Sequence, residues 1–196
     1  MKKVKYVRYS NLKYVNLDGL YNQDYTSLKN LDDNILKVIE VESPISLNIL
    51  KARLREAMDI KKISQKALDI INERLDFYGI VRTSNMYEEI LWPKSGVFNI
   101  DYIRIDNDLQ IYDIAYQELR VLVKDLMNHG LKGEELYRAV LAFYGYEVLT
   151  EKASTFTPQI FEAIRWPVSC IKTINPRPKI PYKIVSIFVP LQNLLP

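Results

Sequence analysis

Apolar residues recur every three to four positions in three successive windows of the first half of the chain. Leu31, Ile35 and Ile39, beside Leu36 and Val38, predict a first helix, with Asp32 and Asp33 in its first turn where the helix dipole favours acids. Pro44 biases Ser43 away from helical angles, so this helix stops near Glu42. Ser46 then caps a second helix whose face is Leu47, Leu50, Leu54, Ala57 and Met58, while Lys51, Arg53 and Arg55 lie off it. A third begins at Ser64, with Ile63 and Leu68 as a hydrophobic staple and a stripe of Ala67, Leu68, Ile71, Leu75 and Tyr78. Gly79 suits its left-handed end. Two β-capable runs, Ile80 to Thr83 and Glu89 to Trp92, flank Ser84 to Tyr87 and predict a hairpin that turns Ile90 and Trp92 to one core face. Three helices and then a hairpin is the order of a winged helix. A three-helix bundle with an irregular tail has the same periodicity.

The second half repeats part of this pattern after a polar connector over 94–107. Ala115, Leu119, Leu122 and Leu126 predict a helix ended by Gly130, and Leu136, Ala139, Val140 and Phe143 another ended by Gly145. A strand-like Tyr146 to Leu149 and a last helix capped by Thr157 and opened by Pro158 follow. Placing Leu50, Leu54, Ile60 and Ile63 over Leu136, Val140, Tyr146 and Leu149 keeps one offset of 86, which fits either a duplication or a chance match of amphipathic helices. The expected fold is therefore mainly α. It holds an extended basic lead-in over 1–30, a winged helix over 31–93, the connector, a second helical unit over 108–166 for which a winged-helix form is one option, and a Pro-rich tail over 167–196.

Composition narrows the chemistry. A single Cys170 excludes an internal disulfide and a cysteine zinc cage, and a lone His129 excludes a histidine cluster. No Gly-x-x-x-x-Gly-Lys-Ser/Thr phosphate loop is present. The basic start runs into Tyr-rich polar sequence rather than an apolar segment, and the longest apolar stretch, Ile184 to Leu195, is short and broken by Pro190 and Gln192. A cytoplasmic protein with no membrane partner and no cofactor is expected. The net charge of +3 over 196 residues is small, but both ends are basic: 1–30 holds six Lys/Arg against two acids, and 167–196 holds four against none.

The run Val38-Ile39-Glu40-Val41-Glu42-Ser43-Pro44-Ile45, the amphipathic Leu50 to Met58, the Ser64 helix and the closing Leu91-Trp92-Pro93 together carry a likeness. They resemble an uncharacterised bacterial module at the C-terminus of large superfamily-one helicase-like proteins, often behind a domain similar to very-short-patch-repair endonucleases. The likeness covers about 31–166 and is most specific over 38–93. Family members commonly have Glu-Gly-Pro where this chain has Glu42-Ser43-Pro44, and the tail beyond Trp166 has no counterpart. The resemblance implies association with DNA repair or defence, with a helicase or nuclease as partner.

The candidate site follows from charge. Between 51 and 66, Lys51, Arg53, Arg55, Lys61, Lys62 and Lys66 face only Glu56 and Asp59. In a helix-turn-helix the third helix enters the major groove and the preceding helix crosses the backbone. Lys61, Lys62 and Lys66 would then meet phosphates, Lys51 and Arg55 are further DNA-binding candidates, Gln65, Asp69 and Asn72 could face bases, and Arg82 and Tyr87 would sit on the wing. Asp69, Glu73 and Asp76 make the later turns acidic, which opposes a duplex, so a solvated charged face is the competing explanation. The acids at Glu88-Glu89, Glu134-Glu135 and Asp106 with Asp108 serve catalysis only if a pocket gathers them. His129 suits a helix C-terminus, and Cys170 suits packing. The tyrosines of the lead-in, Tyr6, Tyr9, Tyr14, Tyr21 and Tyr25, can stack single-stranded nucleic acid, dock on a partner, or simply reflect an AT-rich genome. Non-catalytic duplex DNA binding is the leading expectation. A protein-interaction or homo-oligomerisation module using the same faces is the alternative.

Overall fold

The computed structural model describes residues 1–84, 88–96, 99–105 and 109–146. The order is β1 (Lys2–Lys5), α1 (Leu17–Tyr21), α2 (Tyr25–Glu42), β2 (Ile45–Ser46), α3 (Leu47–Met58), α4 (Gln65–Phe77), β3 (Val81–Ser84), β4 (Glu89–Trp92), β5 (Tyr102–Ile105), α5 (Tyr116–Asn128) and α6 (Gly133–Phe143). A short 3-10 turn at Ile111–Asp113 precedes α5. Helix dominates the described residues, and the strands form two small sheets.

The first core is built by the predicted stripes. Leu31, Ile35, Val38 and Ile39 of α2 pack with Leu50, Leu54, Ala57 and Met58 of α3 and with Ile71 and Leu75 of α4. Helix α2 starts at Tyr25 rather than at Leu31, because Asp24 caps it by accepting the Ser27 N–H at 2.9 Å. Its first turns leave Tyr25 and Lys29 outside, so periodicity hides them. Gly79, at φ 65°, closes α4 in the left-handed region as the sequence requires.

Strand β4 lies between β2 and β3 in an antiparallel sheet, pairing Ile45 with Leu91 and Val81 with Trp92. The two-residue β2 was not signalled, since Ser46 reads only as a helix cap; it does both, accepting the Ile49 N–H at 3.1 Å. Trp92 is fully buried, its indole N–H on Thr83 Oγ1 at 2.9 Å, and it packs with Ile90, Ile100 and Ala115. Leu91 points the other way, into the first core.

The connector expected over 94–107 is in part a strand. In β5 both Ile103 and Arg104 are buried, and the strand runs parallel to β1 with Lys3 opposite Ile103. Lysines at three of four positions conceal β1 from a hydrophobicity reading. Beyond it, α5 and α6 bury Leu119, Leu122, Val123, Leu136, Val140 and Leu141 together. Helix α5 ends at Asn128 and α6 starts at Gly133, each 86 residues after the matching end of α2 at Glu42 and start of α3 at Leu47. Of the strand expected over Tyr146 to Leu149 only Tyr146 is described, and it is not in a strand; the rest of it, the last helix and the tail lie outside the described residues.

The lead-in expected to be extended over 1–30 is so only as far as Asn16, because α1 and the first turns of α2 occupy the rest, and its extended part is tied to the fold at several points. Tyr9 N–H reaches Glu42 Oε1 at 3.0 Å, Lys13 exchanges two bonds with the Asn34 amide at 2.8 Å each, and Val15 N–H donates to the Ala57 carbonyl at 2.9 Å. The strap is part of the fold. Tyr6 and Tyr9 therefore pack inward and are not a stacking surface, whereas Tyr14 and Tyr25 remain exposed.

Buried polar groups join the two halves. The Glu42 carboxylate, wholly buried, accepts Arg53 Nε and Nη2, each at 3.0 Å, together with the Tyr6 hydroxyl. Its carbonyl accepts Arg104 Nη1 at 2.9 Å, and Arg104 grips Glu118 through Nε and Nη2 at 2.9 and 2.7 Å. Ser46 Oγ donates to Asp113 Oδ1 at 2.5 Å. Burial, and then the bond to and the negative charge of Glu42, push the Tyr6 phenol up; burial does the same to Tyr144. A phenol whose folded pKa is raised contributes stability below its unfolded value and loses it above. Thermal unfolding followed by circular dichroism should show Tm falling as pH rises from about 9 to about 11, through the ordinary tyrosine range. A flat profile there would contradict these contacts.

Candidate nucleic-acid interface

The α3–α4 corner is set by local chemistry. Asp59 ends α3 at φ 52°, in the left-handed region, and the Ile60 N–H turns back to the Arg55 carbonyl at 3.1 Å. Ile60 and Ile63 pack inward, which drives Lys61 and Lys62 out into solvent. Ser64 caps α4 by accepting the Ala67 N–H at 3.1 Å, and its Oγ lies 2.6 Å from the Tyr21 hydroxyl. The Tyr21 ring in turn sits beneath Lys66, its Nζ 4.5 Å from the ring centroid. Helix α1 thus holds the start of α4 in place. Tyr21 has no signal in the sequence for this role.

Five of the expected DNA-binding residues share this corner of the chain. Arg55, Lys61, Lys62 and Lys66 are exposed and Lys51 is half-buried, and none of the five forms an ion pair among the described residues. Of the two acids in this stretch, Glu56 is held at 2.6 Å by Arg8 from the strap, and Asp59 is exposed at the end of α3. Arg53 belongs elsewhere. It turns inward to Glu42, not outward as its place off the apolar stripe suggests, because a bidentate carboxylate waits at the end of α2.

Two expected contacts are corrected. Arg82 is 6% exposed, and its guanidinium donates to Asn72 Oδ1 at 3.1 Å, the Asn72 carbonyl at 3.2 Å, Asp76 at 2.8 Å and Glu89 at 3.2 Å. Arg82 and Asn72 therefore brace β3 against α4 instead of facing a groove. Acids close in sequence on both sides are what draw the arginine in. Gln65 is exposed and donates to Asp69 at 2.8 Å. Tyr87, at the hairpin tip, lies outside the described residues.

The outer face of α4 changes sign along its length. After Lys66 come the exposed Asp69, Glu73 and Asp76, and then Phe77, 70% exposed with the Arg74 guanidinium 4.6 Å from its ring centroid. Arg74 itself is committed to Asp32 through Nε at 2.7 Å and Nη2 at 2.5 Å.

The other candidate groups have local explanations. His129 Nδ1 lies 2.7 Å from the Asp125 carbonyl at the end of α5, the position its sequence context implies. Glu134 pairs with Arg138 one turn on, at 2.6 Å in open solvent, and Glu118 is the buried partner of Arg104. Among the described residues, no three His, Cys, Asp or Glu side chains are grouped to hold a metal ion, and no helix is long and apolar enough to cross a membrane. Comparison with known protein families, characterised proteins and solved structures finds no match.

Proposed function

We propose that the chain is a non-catalytic nucleic-acid-binding module that grips duplex phosphates at the α3–α4 corner, as part of a bacterial repair or defence machine built around a helicase or nuclease. The observation that carries this reading is the set of five cations, Lys51, Arg55, Lys61, Lys62 and Lys66, that form no ion pair among the described residues, with the nearby Glu56 held by Arg8. The order α2, β2, α3, α4, β3, β4, with β4 central in its sheet, supports a winged-helix reading of this half. In that arrangement α3 lies along the backbone and the start of α4 approaches the groove. With Arg82 and Asn72 engaged inside the fold, sequence readout has few groups left, and affinity rests on phosphate contacts.

Fluorescence anisotropy with a short labelled duplex tests this. At about 0.1 M salt each neutralised phosphate adds roughly 0.9 log unit of affinity relative to 1 M. Lys61→Ala with Lys62→Ala should therefore weaken binding about 10- to 60-fold on every duplex sequence, with an unchanged circular dichroism spectrum because both side chains are exposed. Equal affinity of wild type and variant would remove the proposal. The alternative, docking on a protein partner, is favoured by the acids and the exposed Phe77 on the later turns of α4. The part of such binding made by apolar contact with Phe77 would survive the salt that dissociates DNA.

A further inference from the structure

We propose that the outer face of α4 is a docking site for the chain's own C-terminal segment, residues 167–196. Asp69, Glu73 and Asp76 stand three and four residues apart, so they share one side of the helix, and Phe77 adds an exposed ring at its end. Asp76 is partly balanced by Arg82, but no ion pair or hydrogen bond reaches Glu73 among the described residues. Such a face repels a polyanion and attracts a basic, partly apolar chain. The segment 167–196 supplies that chemistry: Lys172, Arg177, Lys179 and Lys183 with no acid at all, followed by Ile184, Val185, Ile187, Phe188 and Val189 to cover the ring.

The other occupants fit less well. The basic lead-in is already engaged elsewhere, by β5 at Lys2–Lys5 and by α2 and α3 at Tyr9, Lys13 and Val15. A second copy offering the same face would bring like charges together. Residues 147–166 link the last described helix to the segment, and fully extended they reach about 66 Å, well beyond the radius of a domain of this size. Tethering in one chain raises the local concentration of the segment, so modest contacts suffice. Docking would cancel the negative charge beside the α3–α4 corner. The inference is independent of the nucleic-acid reading, because it is tested without nucleic acid.

Cys170 is the single cysteine and lies inside the segment, so a nitroxide can be attached to the native full-length chain. In the nitrogen-15 spectrum of this labelled protein at low salt, the amides of Asp69, Glu73 and Phe77 should lose most of their intensity and regain it on reduction of the nitroxide. Asp69→Lys with Glu73→Lys should abolish the loss while the signals of β3 and β4 stay in place, which shows that the fold is intact. Broadening elsewhere only, or broadening that survives the charge reversal, would overturn the proposal. Isotope-labelled chain mixed with spin-labelled, unlabelled chain provides the remaining arm. Broadening of α4 in that mixture would assign the face to a second copy and overturn the intramolecular form.

Discussion

Glu42→Gln is expected to lower stability by about 3–5 kcal/mol, because it leaves the inward-facing Arg53 without a counter-charge. The carboxylate accepts from Arg53 at two points, from the Tyr9 N–H and from the Tyr6 hydroxyl. A neutral amide keeps the shape but cannot accept all of these bonds, and its own N–H groups meet donors. Three segments lose their common anchor at once: the strap, the end of α2 and the middle of α3. Urea titration followed by circular dichroism measures this. A loss below about 1 kcal/mol would mean that the site is wetter or looser than described.

Arg104→Leu should cost a similar amount for the complementary reason. Glu118 is wholly buried, and Arg104 serves it through two side-chain bonds and the backbone N–H at 2.7 Å. Removing the guanidinium strands a carboxylate in the interior, about 3–5 kcal/mol, and also breaks the link to the Glu42 carbonyl that ties β5 to the first core. The double variant Arg104→Leu with Glu118→Leu should recover a large part of the loss, since an apolar pair can replace a buried ion pair. Urea titration of the two single variants and the double variant provides the comparison. Additive losses in the double variant would show that the two residues do not act as a pair.

These anchors were the least legible features of the sequence. The helices could be read because Leu50, Leu54, Ala57 and Met58, or Ala67, Ile71 and Leu75, repeat at helical spacing and bury the same way in the structure. Ser46, Ser64 and Gly79 could be read because caps follow from backbone chemistry that is local. Arg53 and Arg104 could not be read. Each is a cation whose partner lies 11 or 14 residues away, and nothing local distinguishes it from a solvated arginine. The same limit explains β1 and β5, whose pairing joins positions 100 residues apart, whereas the acids that make Arg82 an internal brace, Asp76 and Glu89, stand close to it in sequence. The candidate corner was legible in part. Charge counting picked six cations over 51–66, of which Arg53 turns inward and the other five reach solvent, but the pairing of Glu56 with Arg8 and the stacking of Lys66 on Tyr21 depend on the path of the residues before α2 across the fold.

The dependence of duplex affinity on salt tests the central claim most directly. With phosphate contacts from Lys51, Arg55, Lys61, Lys62 and Lys66, log K should fall against log salt with a slope of about −4.5, and Arg55→Ala, Lys61→Ala and Lys62→Ala together should flatten it by about 2.7. A wild-type slope near zero, or the same slope in wild type and variant, would contradict the account.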